Sequence, residues 1–547
     1  MSDADLSVAV AIVGGGCAGA YSGLRLQESG RKSVALFEYS DRIGGRLYTR
    51  RLPGMPNVNA EVGGMRFIPW SEKDQGGHKM VTHMVEELRL KRRPFPMGNS
   101  DPKIGQSNNY VFLRRKHLLY GELSDSTKVP YDVNWSELNM NPDRLQRWAY
   151  EFIVPEAIKR DLSLDELFRV TVYGKPLYKY GLWDLLYLLL SSEAYAFMLD
   201  AGGYDTNVAN ASAVSALPSD DFTAETVYET LVNGYDQLPI QGVRRFEENG
   251  GQVYMQHRLR SIVQHGKGVR LTFERTAPKQ IDDVRRTIEN TGTLVTVDAE
   301  QVILAMPRRS LELLDWAPLK DPKVDELVNS VIKQVAFKLF LGYENPWWQA
   351  LGLQAGRAIT DMPLRQVYYM GSEQDAVGGE PGVTNSLMMA SYNDLRSVPF
   401  WKAFENDEPF TGFVPEAERR RGYTSTGANV PHQHQPATVG MVNMAQLLVQ
   451  EIHGMRSLPA PYTAAYHDWS EDPFGAGWHA WKAGIDYRTT MKEIRHPAQG
   501  WPVYVCGEAY SVNQGWVEGA YQTAERMLQE HFGLTVPKWL GDYPLGP

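Results

Sequence analysis

A glycine-rich segment near the start of the chain has the spacing needed to bind a dinucleotide. Gly14, Gly16 and Gly19 follow the pattern G-x-G-x-x-G. The apolar run Val8–Val13 precedes them and predicts a parallel strand that is buried on both faces. In such a unit the first glycine permits a tight turn, the second lets the backbone approach a pyrophosphate, and the third lets helix and strand pack closely. The helix that follows offers free N–H groups and a partial positive charge to the anion.

An acidic residue ends the second predicted strand of this unit. Residues 33–37 form that strand, and Glu38 follows it. A carboxylate at this place accepts hydrogen bonds from the ribose hydroxyls of an adenine dinucleotide. The complete series of strand, glycine turn, helix, strand and acid therefore predicts a dinucleotide site, and a glycine turn without a ligand is the alternative.

Two cationic side chains lie in surroundings that suggest chemistry. Arg66, in Gly-Gly-Met-Arg-Phe, offers a planar fork for a carboxylate, and each such charged hydrogen bond contributes about 1.5–3 kcal/mol. The alternative is a structural arginine that pairs with an acid or with the diphosphate. Lys338 lies in the apolar run Ala336–Leu341, where a lysine is costly unless it is paired or functional. The alternative for Lys338 is a solvent-facing position on an alternating strand.

Composition limits the classes of protein that this chain can be. Its 547 residues correspond to about three or four domains, and 43% apolar with 22% charged residues excludes an intrinsically disordered chain. The net charge of −9 argues against nucleic acid as a partner. Cys17 and Cys506 are too few for a disulfide framework and suit a reducing compartment.

Targeting and metal-binding patterns are missing from the sequence. No apolar stretch approaches the roughly 20 residues of a membrane span. Asp3 and Asp5 precede the first apolar run, where a secretory leader would carry basic residues. We therefore expect a cytoplasmic protein that does not bind a membrane. The chain has neither H-E-x-x-H nor a cysteine cluster with zinc spacing, so we predict no metal.

Further motifs carry a family resemblance that implies FAD, rather than NAD, as the dinucleotide. They are Asp41-Arg42-Ile43-Gly44-Gly45-Arg46, Glu61-Val62-Gly63-Gly64-Met65-Arg66-Phe67, Asn233-Gly234-Tyr235-Asp236-Gln237-Leu238-Pro239, Cys506-Gly507-Glu508 and Gln514-Gly515-Trp516-Val517-Glu518-Gly519-Ala520. Together they resemble the flavin-containing amine oxidase superfamily. The Gly-Gly-Met-Arg-Phe segment resembles the L-amino-acid oxidase branch, because monoamine and polyamine oxidases usually lack an arginine at this point.

The resemblance implies a set of cofactor contacts. They are Gly14, Gly16, Ala18, Gly19, Glu38, Gly45, Arg46, Gly64, Met65, Arg66, Leu259, Gly507, Glu508, Trp516 and Val517. Monoamine oxidases carry a flavin-bonded cysteine before the last helix. Residues 509–515 contain no cysteine, so we predict that FAD is bound noncovalently.

The resemblance also implies roles for the residues that contact the substrate. Arg66 would bind the carboxylate, Lys338 would hold a water beside flavin N5, and Trp516 would form a wall of the flavin pocket. The Gly515 carbonyl could accept a hydrogen bond from the substrate amine. Tyr392 lies where the family's second carboxylate donor is expected. Tyr368 or Tyr369 could serve instead, and a plain core tyrosine is equally compatible with the pattern.

Substrate preference depends on a segment of the predicted helical domain. Asp220, Asp221 and Phe222 align with the side-chain pocket of the family. A carboxylate there would favour cationic side chains such as lysine or arginine. Because the two aspartates follow Pro218-Ser219, they could instead be helix caps.

The implied architecture is a mixed α/β fold. A discontinuous Rossmann-like FAD-binding domain would comprise residues 1–70, 233–319 and 451–547. A substrate-binding domain over a mixed sheet would comprise 71–128 and 320–450, and a helical domain 129–232.

The implied activity is FAD-dependent oxidation of L-amino acids. Hydride leaves Cα for flavin N5, oxygen becomes hydrogen peroxide, and the imino acid hydrolyses to a 2-oxo acid and ammonia. Partners would be the amino acid, oxygen and further copies of the chain in a homo-oligomer. Three alternatives stay open: an amine or polyamine oxidase, a decarboxylating amino-acid monooxygenase, and a flavin-binding interaction module without turnover.

Overall fold

The computed structural model describes residues 4–98, 107–159, 162–217, 226–280, 286–412 and 437–547. The strands are, in chain order, β1 (Leu6–Val13), β2 (Val34–Phe37), β3 (Thr49–Leu52), β4 (Met55–Glu61), β5 (Arg92–Pro94), β6 (Tyr110–Leu113), β7 (Lys116–Leu119), β8 (Thr171–Val172), β9 (Lys175–Pro176), β10 (Glu229–Leu231), β11 (Gln252–Tyr254), β12 (His257–His265), β13 (Gly268–Gln280), β14 (Arg286–Leu304), β15 (Asp315–Trp316), β16 (Val331–Gln334), β17 (Ala336–Tyr343), β18 (Arg357–Thr360), β19 (Gln366–Ser372), β20 (Ser386–Asp394), β21 (Thr463–Asp468), β22 (Trp478–Trp481) and β23 (Val503–Val505).

The α-helices are α1 (Cys17–Glu28), α2 (Lys79–Glu87), α3 (Pro142–Ile153), α4 (Pro155–Lys159), α5 (Leu164–Leu167), α6 (Leu182–Leu186), α7 (Ser192–Ala201), α8 (Gln237–Glu248), α9 (Arg308–Glu312), α10 (Pro322–Val328), α11 (Val398–Lys402), α12 (Val439–His453), α13 (Tyr487–Ile494) and α14 (Val517–Phe532). Short 3-10 helices add single turns, among them Asp205–Val208 and Glu508–Tyr510.

The first of two large sheets is built around a parallel core. Strands β11, β2, β1, β14 and β23 run parallel in that order. The apolar residues of β2, of β23 and of Val10–Val13 in β1 are buried as their sequences predict, whereas Val253 and Tyr254 on the edge strand β11 are partly exposed. Helix α1 packs against α8 and α14 beside this core. The far part of β14 pairs antiparallel with β13, which continues to β12, and β15 joins β12 in parallel.

The second large sheet has seven strands in the order β21-β17-β20-β19-β18-β6-β7. Strand β17, second from one edge, is buried along its whole length, and α12 packs on the sheet through residues such as Met441, Val449 and Ile452. Thr463–Asp468 pairs with β17 here, although the sequence placed residues 451–547 with the FAD-binding domain. The boundaries of the three domains stay predictions.

Residues 142–201 supply five of the helices, as helix-forming composition in this part of the sequence predicts. Side chains cap several of them: Asn141, Ser163 and Ser191 each accept a hydrogen bond from a backbone N–H in the first turn. The predicted mixed α/β fold is confirmed. None of the helices in the described ranges combines the length and apolar content that a membrane span requires.

Candidate active site

A cavity of about 400 Å³ opens where the two large sheets approach each other. Its walls include the glycine turn after β1, the carboxyl end of β14 and, from the second sheet, Lys338 on β17 and Tyr392 on β20. Gly507, Gly515 and Trp516 close it from the C-terminal part of the chain. The cavity thus joins the predicted nucleotide motifs to the predicted substrate residues.

The glycine turn has the close contacts that its motif requires. Gly14 has φ +115°, and a Cβ there would lie 2.4 Å from the Ala305 carbonyl oxygen. A Cβ on Gly19 would lie only 1.9 Å from the Gly14 oxygen. At Gly16 the nearest atom to such a Cβ would be 3.8 Å away, so this glycine leaves open space in front of the α1 N-terminus.

Glu38 is buried at the end of β2 and lines the cavity. One carboxylate oxygen accepts a hydrogen bond of 2.7 Å from Gly15 N, and the other accepts bonds from the backbone N and hydroxyl of Ser40. The carboxylate is thereby fixed beside the glycine turn. Leu259 is buried on β12 and also lines the cavity.

A buried ionic cluster joins the two halves of the predicted flavin site. Arg46 Nη1 lies 2.7 Å from one oxygen of Glu508, and His479 Nδ1 lies 3.0 Å from the same oxygen. The other oxygen accepts bonds from the backbone N of His479 and of Gly515. Although burial opposes ionisation, Arg46 and His479 lower the pKa of Glu508 to about 2.

These features fit FAD in both shape and charge. The turn from Gly14 to Gly19 provides a cradle that a side chain at Gly16 would obstruct, and the α1 N-terminus has no acidic residue in its first turn. Ala18, Gly45 and Arg46 line the cavity beside this cradle. On the opposite wall, Val517 begins helix α14. A diphosphate would find backbone N–H groups and one guanidinium at this end.

Arg66 faces the substrate end of the cavity, just after Gly64 and Met65. Its Nη1 donates a 3.3 Å hydrogen bond to the Tyr368 hydroxyl, and its guanidinium lies 4.7 Å from the ring centre of Tyr228. Its Nε is buried without a hydrogen-bond partner, and no acidic side chain in the described ranges lies within 4 Å of it. Burial lowers the pKa of Arg66, but the surrounding tyrosines more than offset this and raise it.

Lys338 is buried on β17, with 2% of its surface exposed. Its Nζ donates to the backbone oxygens of Glu61 at 3.0 Å and Gly63 at 2.6 Å, and lies 4.3 Å from the Tyr392 ring centre. Burial and the Arg66 charge lower the pKa of Lys338 to about 7, against the effect of Glu61. The solvent-facing alternative for Lys338 is therefore wrong.

Aromatic rings form the walls between Arg66 and the predicted flavin position. Trp516 stacks parallel to Tyr228 with ring centres 6.4 Å apart, and Tyr204 contacts Tyr392 edge-on at 5.1 Å. Trp478 also lines the cavity, and a Cβ on Gly515 would lie 3.7 Å from its ring. The chamber beside Arg66 is consequently narrow and mostly apolar.

Sequence reasoning found some of these residues and missed others. Arg66, Lys338, Tyr392, Gly515 and Trp516 share one cavity. Tyr368, kept as an alternative to Tyr392, is the tyrosine that bonds to Arg66. The predicted specificity residues Asp220, Asp221 and Phe222 lie outside the described residues.

The helical part reaches the cavity through a different segment, residues 204–207. Tyr204 and Trp478 were missed because single aromatic residues in a chain this rich in them carry no pattern. The acid that holds Arg46 and the histidine that supports it are 29 residues apart in sequence, so only the fold brings them together.

Comparison with known proteins decides the family. The sequence profile described as "Flavin containing amine oxidoreductase" matches residues 18–399, which is well over half of the chain. This protein belongs to that family. It is therefore a flavin-dependent oxidoreductase, and the cofactor of its cavity is FAD.

Relatives within the flavin amine oxidase family cover most of the chain. Aplysianin-A of Aplysia kurodai is 30% identical over 548 residues, which is 96% of this chain and 91% of that protein. Achacin of Lissachatina fulica is 28% identical over 96% of this chain and 93% of that protein. An L-amino-acid oxidase of Echis ocellatus is 27% identical over 66% of this chain and 64% of its own length.

Among solved structures of the family, putrescine oxidase bound to putrescine superposes with a TM-score of 0.62. It covers 96% of this chain and 99% of its own, at 16% identity. At this sequence identity the superposition shows a similarity of fold alone.

Proposed function

We propose that this protein is an L-amino-acid oxidase. The observation that carries the proposal is Arg66, a cation that faces the cavity and has no acidic partner among the described residues. Desolvated charge of this kind is costly unless a counter-ion is supplied. A substrate carboxylate is the natural counter-ion, because its two oxygens match the guanidinium fork.

The charge distribution of the cavity favours an amino acid over an amine. Its described acidic residues are Glu38 and Glu508, and both lie at the cofactor end with their oxygens already engaged. The charged groups at the substrate end are Arg66 and Lys338. A diamine would bring no carboxylate to the Arg66 cation, whereas a zwitterion brings the carboxylate that neutralises it.

The chain's own residues would orient the substrate and exclude water. Arg66 holds the carboxylate, while the rings of Trp516, Tyr392 and Tyr204 confine the side chain. Lys338, with its pKa near 7, can take or release a proton at Nζ in the neutral range. FAD held by the glycine turn and Arg46 would supply the acceptor for a hydride from the substrate Cα and the route for its electrons to oxygen.

Two of the relatives support this assignment by name. L-amino-acid oxidases of Echis ocellatus and Pseudechis australis align with this chain at 27% and 25% identity. Their alignments include two thirds of the chain. The arginine that we assign to the carboxylate also lies in the motif through which the sequence resembles that branch.

A peroxide assay on the purified holoprotein tests the proposal. The panel holds the twenty L-amino acids, their D-forms and the matching decarboxylated amines. We expect peroxide from L-forms only, together with a 2-oxo acid and ammonia. Peroxide from the amines, or an amide product without peroxide, would contradict the proposal. The ranking of lysine and arginine against phenylalanine and leucine tests the preference for basic side chains that Asp220 suggests.

A further inference from the structure

Gln366, the first residue of β19, joins two parts of the substrate chamber through one side chain. It is fully buried. Its Oε1 accepts hydrogen bonds from the Tyr368 hydroxyl at 3.1 Å and from Arg357 Nη1 at 2.6 Å. Its Nε2 donates to the Gly203 carbonyl at 3.1 Å. The acceptor and the donor of this amide are thus both engaged, and they face different segments of the chain.

The acceptor side leads to the carboxylate site. Tyr368 lies two residues after Gln366 on the same strand, so both side chains project from the same face of β19. Tyr368 is 1% exposed, and its oxygen receives the hydrogen bond from Arg66. With its own hydrogen directed at Gln366, the Tyr368 hydroxyl presents a lone pair to Arg66, and the rotation of the hydroxyl is fixed.

The donor side leads to the other end of the chamber. Gly203 precedes Tyr204, whose ring contacts Tyr392 and lines the cavity. On the far side of Tyr204, Asp394 accepts hydrogen bonds from the backbone N atoms of Asp205 at 2.8 Å and Thr206 at 2.9 Å. Gln366 and Asp394 therefore hold the backbone immediately before and immediately after the aromatic residue.

At this buried position the side chain must accept hydrogen bonds from Tyr368 and Arg357 and donate one to Gly203. Only a primary amide of this length does both. An aliphatic residue would remove the present partners of the Gly203 carbonyl, the Tyr368 O–H donor and one Arg357 N–H, and buried polar groups without partners are strongly disfavoured. A carboxylate would oppose the Gly203 carbonyl with a second acceptor. The site thus selects glutamine for its hydrogen bonds rather than for its volume.

We propose that Gln366 is a positioning residue that sets the orientation of Arg66 through Tyr368 and the position of Tyr204 through Gly203. This inference rests on the proposed function, because it assigns Arg66 to the substrate carboxylate and Tyr204 to its side chain. The buried amide of Gln366 then affects both the binding of the substrate carboxylate and the preference among substrate side chains.

Two variants separate the two branches. Gln366→Leu removes both the link to Arg66 and the bond to Gly203, whereas Tyr368→Phe removes the hydroxyl that bonds Arg66 and Tyr204 and leaves Gly203 held by Gln366. The matched control is Gln446→Leu, because Gln446 on α12 also accepts from a tyrosine hydroxyl, that of Tyr343 at 3.1 Å, and donates to a carbonyl, that of Pro459 at 2.9 Å. Gln446 does not line the cavity.

Four quantities are measured on FAD-loaded protein: KM and kcat for L-phenylalanine, the ratio of kcat/KM between L-phenylalanine and L-alanine, and the Kd of benzoate from the flavin difference spectrum. We expect Gln366→Leu to raise KM and the benzoate Kd about tenfold, to change kcat by less than threefold, and to change the substrate ratio at least fivefold. Tyr368→Phe should raise KM and Kd similarly and change the ratio less than Gln366→Leu does, because Gly203 remains held. The control should change none of them.

The outcomes distinguish this inference from the proposed function. A Gln366→Leu protein that behaves like the Gln446→Leu control overturns the inference, and so does a Tyr368→Phe protein with unchanged benzoate affinity. Should Gln366→Leu fail to fold, Tyr368→Phe alone decides. If the wild type oxidises no L-amino acid, the proposed function fails, and benzoate binding to the same proteins still tests the link from Gln366 to Arg66.

Discussion

Arg66 is the residue on which the chemistry most depends. Among the described residues its Nε has no hydrogen-bond partner, and its neighbours there are aromatic rings and a tyrosine hydroxyl. We expect Arg66→Ala to raise the KM for L-phenylalanine about a hundredfold or more, because two charged hydrogen bonds of about 1.5–3 kcal/mol each are lost. Steady-state kinetics on FAD-loaded protein measure the effect.

The comparison with Arg66→Lys makes this prediction specific. Lysine keeps the charge but lacks the planar fork, so its KM should lie between those of the wild type and the alanine variant. FAD should remain bound in both variants. Wild-type kinetics for Arg66→Ala would remove Arg66 from carboxylate binding.

Lys338 gives the stability of the protein a distinctive pH dependence. Its pKa is about 7 in the folded protein and 10.5 ordinarily, so between these values the unfolded chain binds a proton that the folded chain does not. The wild type should therefore gain up to ~1.4 kcal/mol of unfolding free energy per pH unit as the pH rises above 7. Lys338→Met lacks this gain, and its stability relative to the wild type should fall between pH 7 and pH 9.

Chemical denaturation of the holoprotein at pH 7, 8 and 9 measures the difference. Lys333→Met is the control. Lys333 lies on β16, the strand that precedes β17 in the chain, is partly exposed and forms an ion pair with Glu312 at 3.2 Å. If the unfolding free energy of both variants changed equally with pH, the assignment of Lys338 as a buried lysine with a lowered pKa would be contradicted. In activity assays we expect Lys338→Met to lower kcat more than it raises KM.

For single residues, the sequence indicates a functional role where the residue type conflicts with its surroundings. A lysine inside Ala336–Leu341 is conspicuous without any structure, and so is an arginine after two glycines. Tyr204, Tyr368 and Gln366 are not conspicuous, because tyrosines and glutamines occur in every kind of environment. Their roles arise from partners up to 302 positions away, which only the folded chain supplies.

Among the elements, the turn between β1 and α1 allows a sharp test. Gly16→Ala should leave the apoprotein folded, since a Cβ there would have no protein atom closer than 3.8 Å, but it should weaken FAD binding because the methyl group occupies the cradle. Gly19→Ala should disrupt the apoprotein itself, because its Cβ would lie 1.9 Å from the Gly14 oxygen. FAD titration and circular dichroism of both apoproteins distinguish these effects. Equal folding defects in the two variants would contradict the assignment.

A strand that forms one short apolar run can be predicted from the sequence. A strand boundary that depends on how the strands pair cannot. The sequence predicts β1, β2 and β23 within two residues of their observed ends, because each is a short apolar run between turns. It predicts one strand over residues 252–258, but the structure has β11 and β12 with a break at Met255 and Gln256. Gln256 has φ +62°, and there the chain leaves the parallel core for the antiparallel extension.

For the molecule as a whole, the mode of FAD attachment is a direct prediction. Acid precipitation should release all flavin into the supernatant, because the chain's two cysteines are both buried and neither lies in residues 509–515. The apoprotein should unfold at a lower temperature, with free FAD at a thousandfold excess over Kd restoring about 4 kcal/mol. Differential scanning calorimetry with and without FAD measures this. Flavin that stays with the precipitate would show a covalent bond to another residue type.

The arrangement of the two large sheets is the part that sequence reasoning captures least. Family motifs mark the strands around the glycine turn, yet nothing in Thr463–Asp468 indicates that it joins β17 rather than the parallel core. Such long-range pairing depends on the packing of the entire chain. The cavity between the sheets is consequently a property of the whole molecule, although most of its chemical groups can be recognised one at a time.

The burial of the two cysteines has a consequence for the lifetime of the working enzyme. Cys17 lies at the start of α1 beside the cavity, and Cys506 lies just before Gly507. Burial raises the pKa of both thiols to about 12, so almost no thiolate exists at neutral pH. Peroxide attacks thiolates rather than thiols. An oxidase that releases peroxide from this cavity would therefore spare its own sulfhydryl groups, and turnover should not inactivate it by cysteine oxidation.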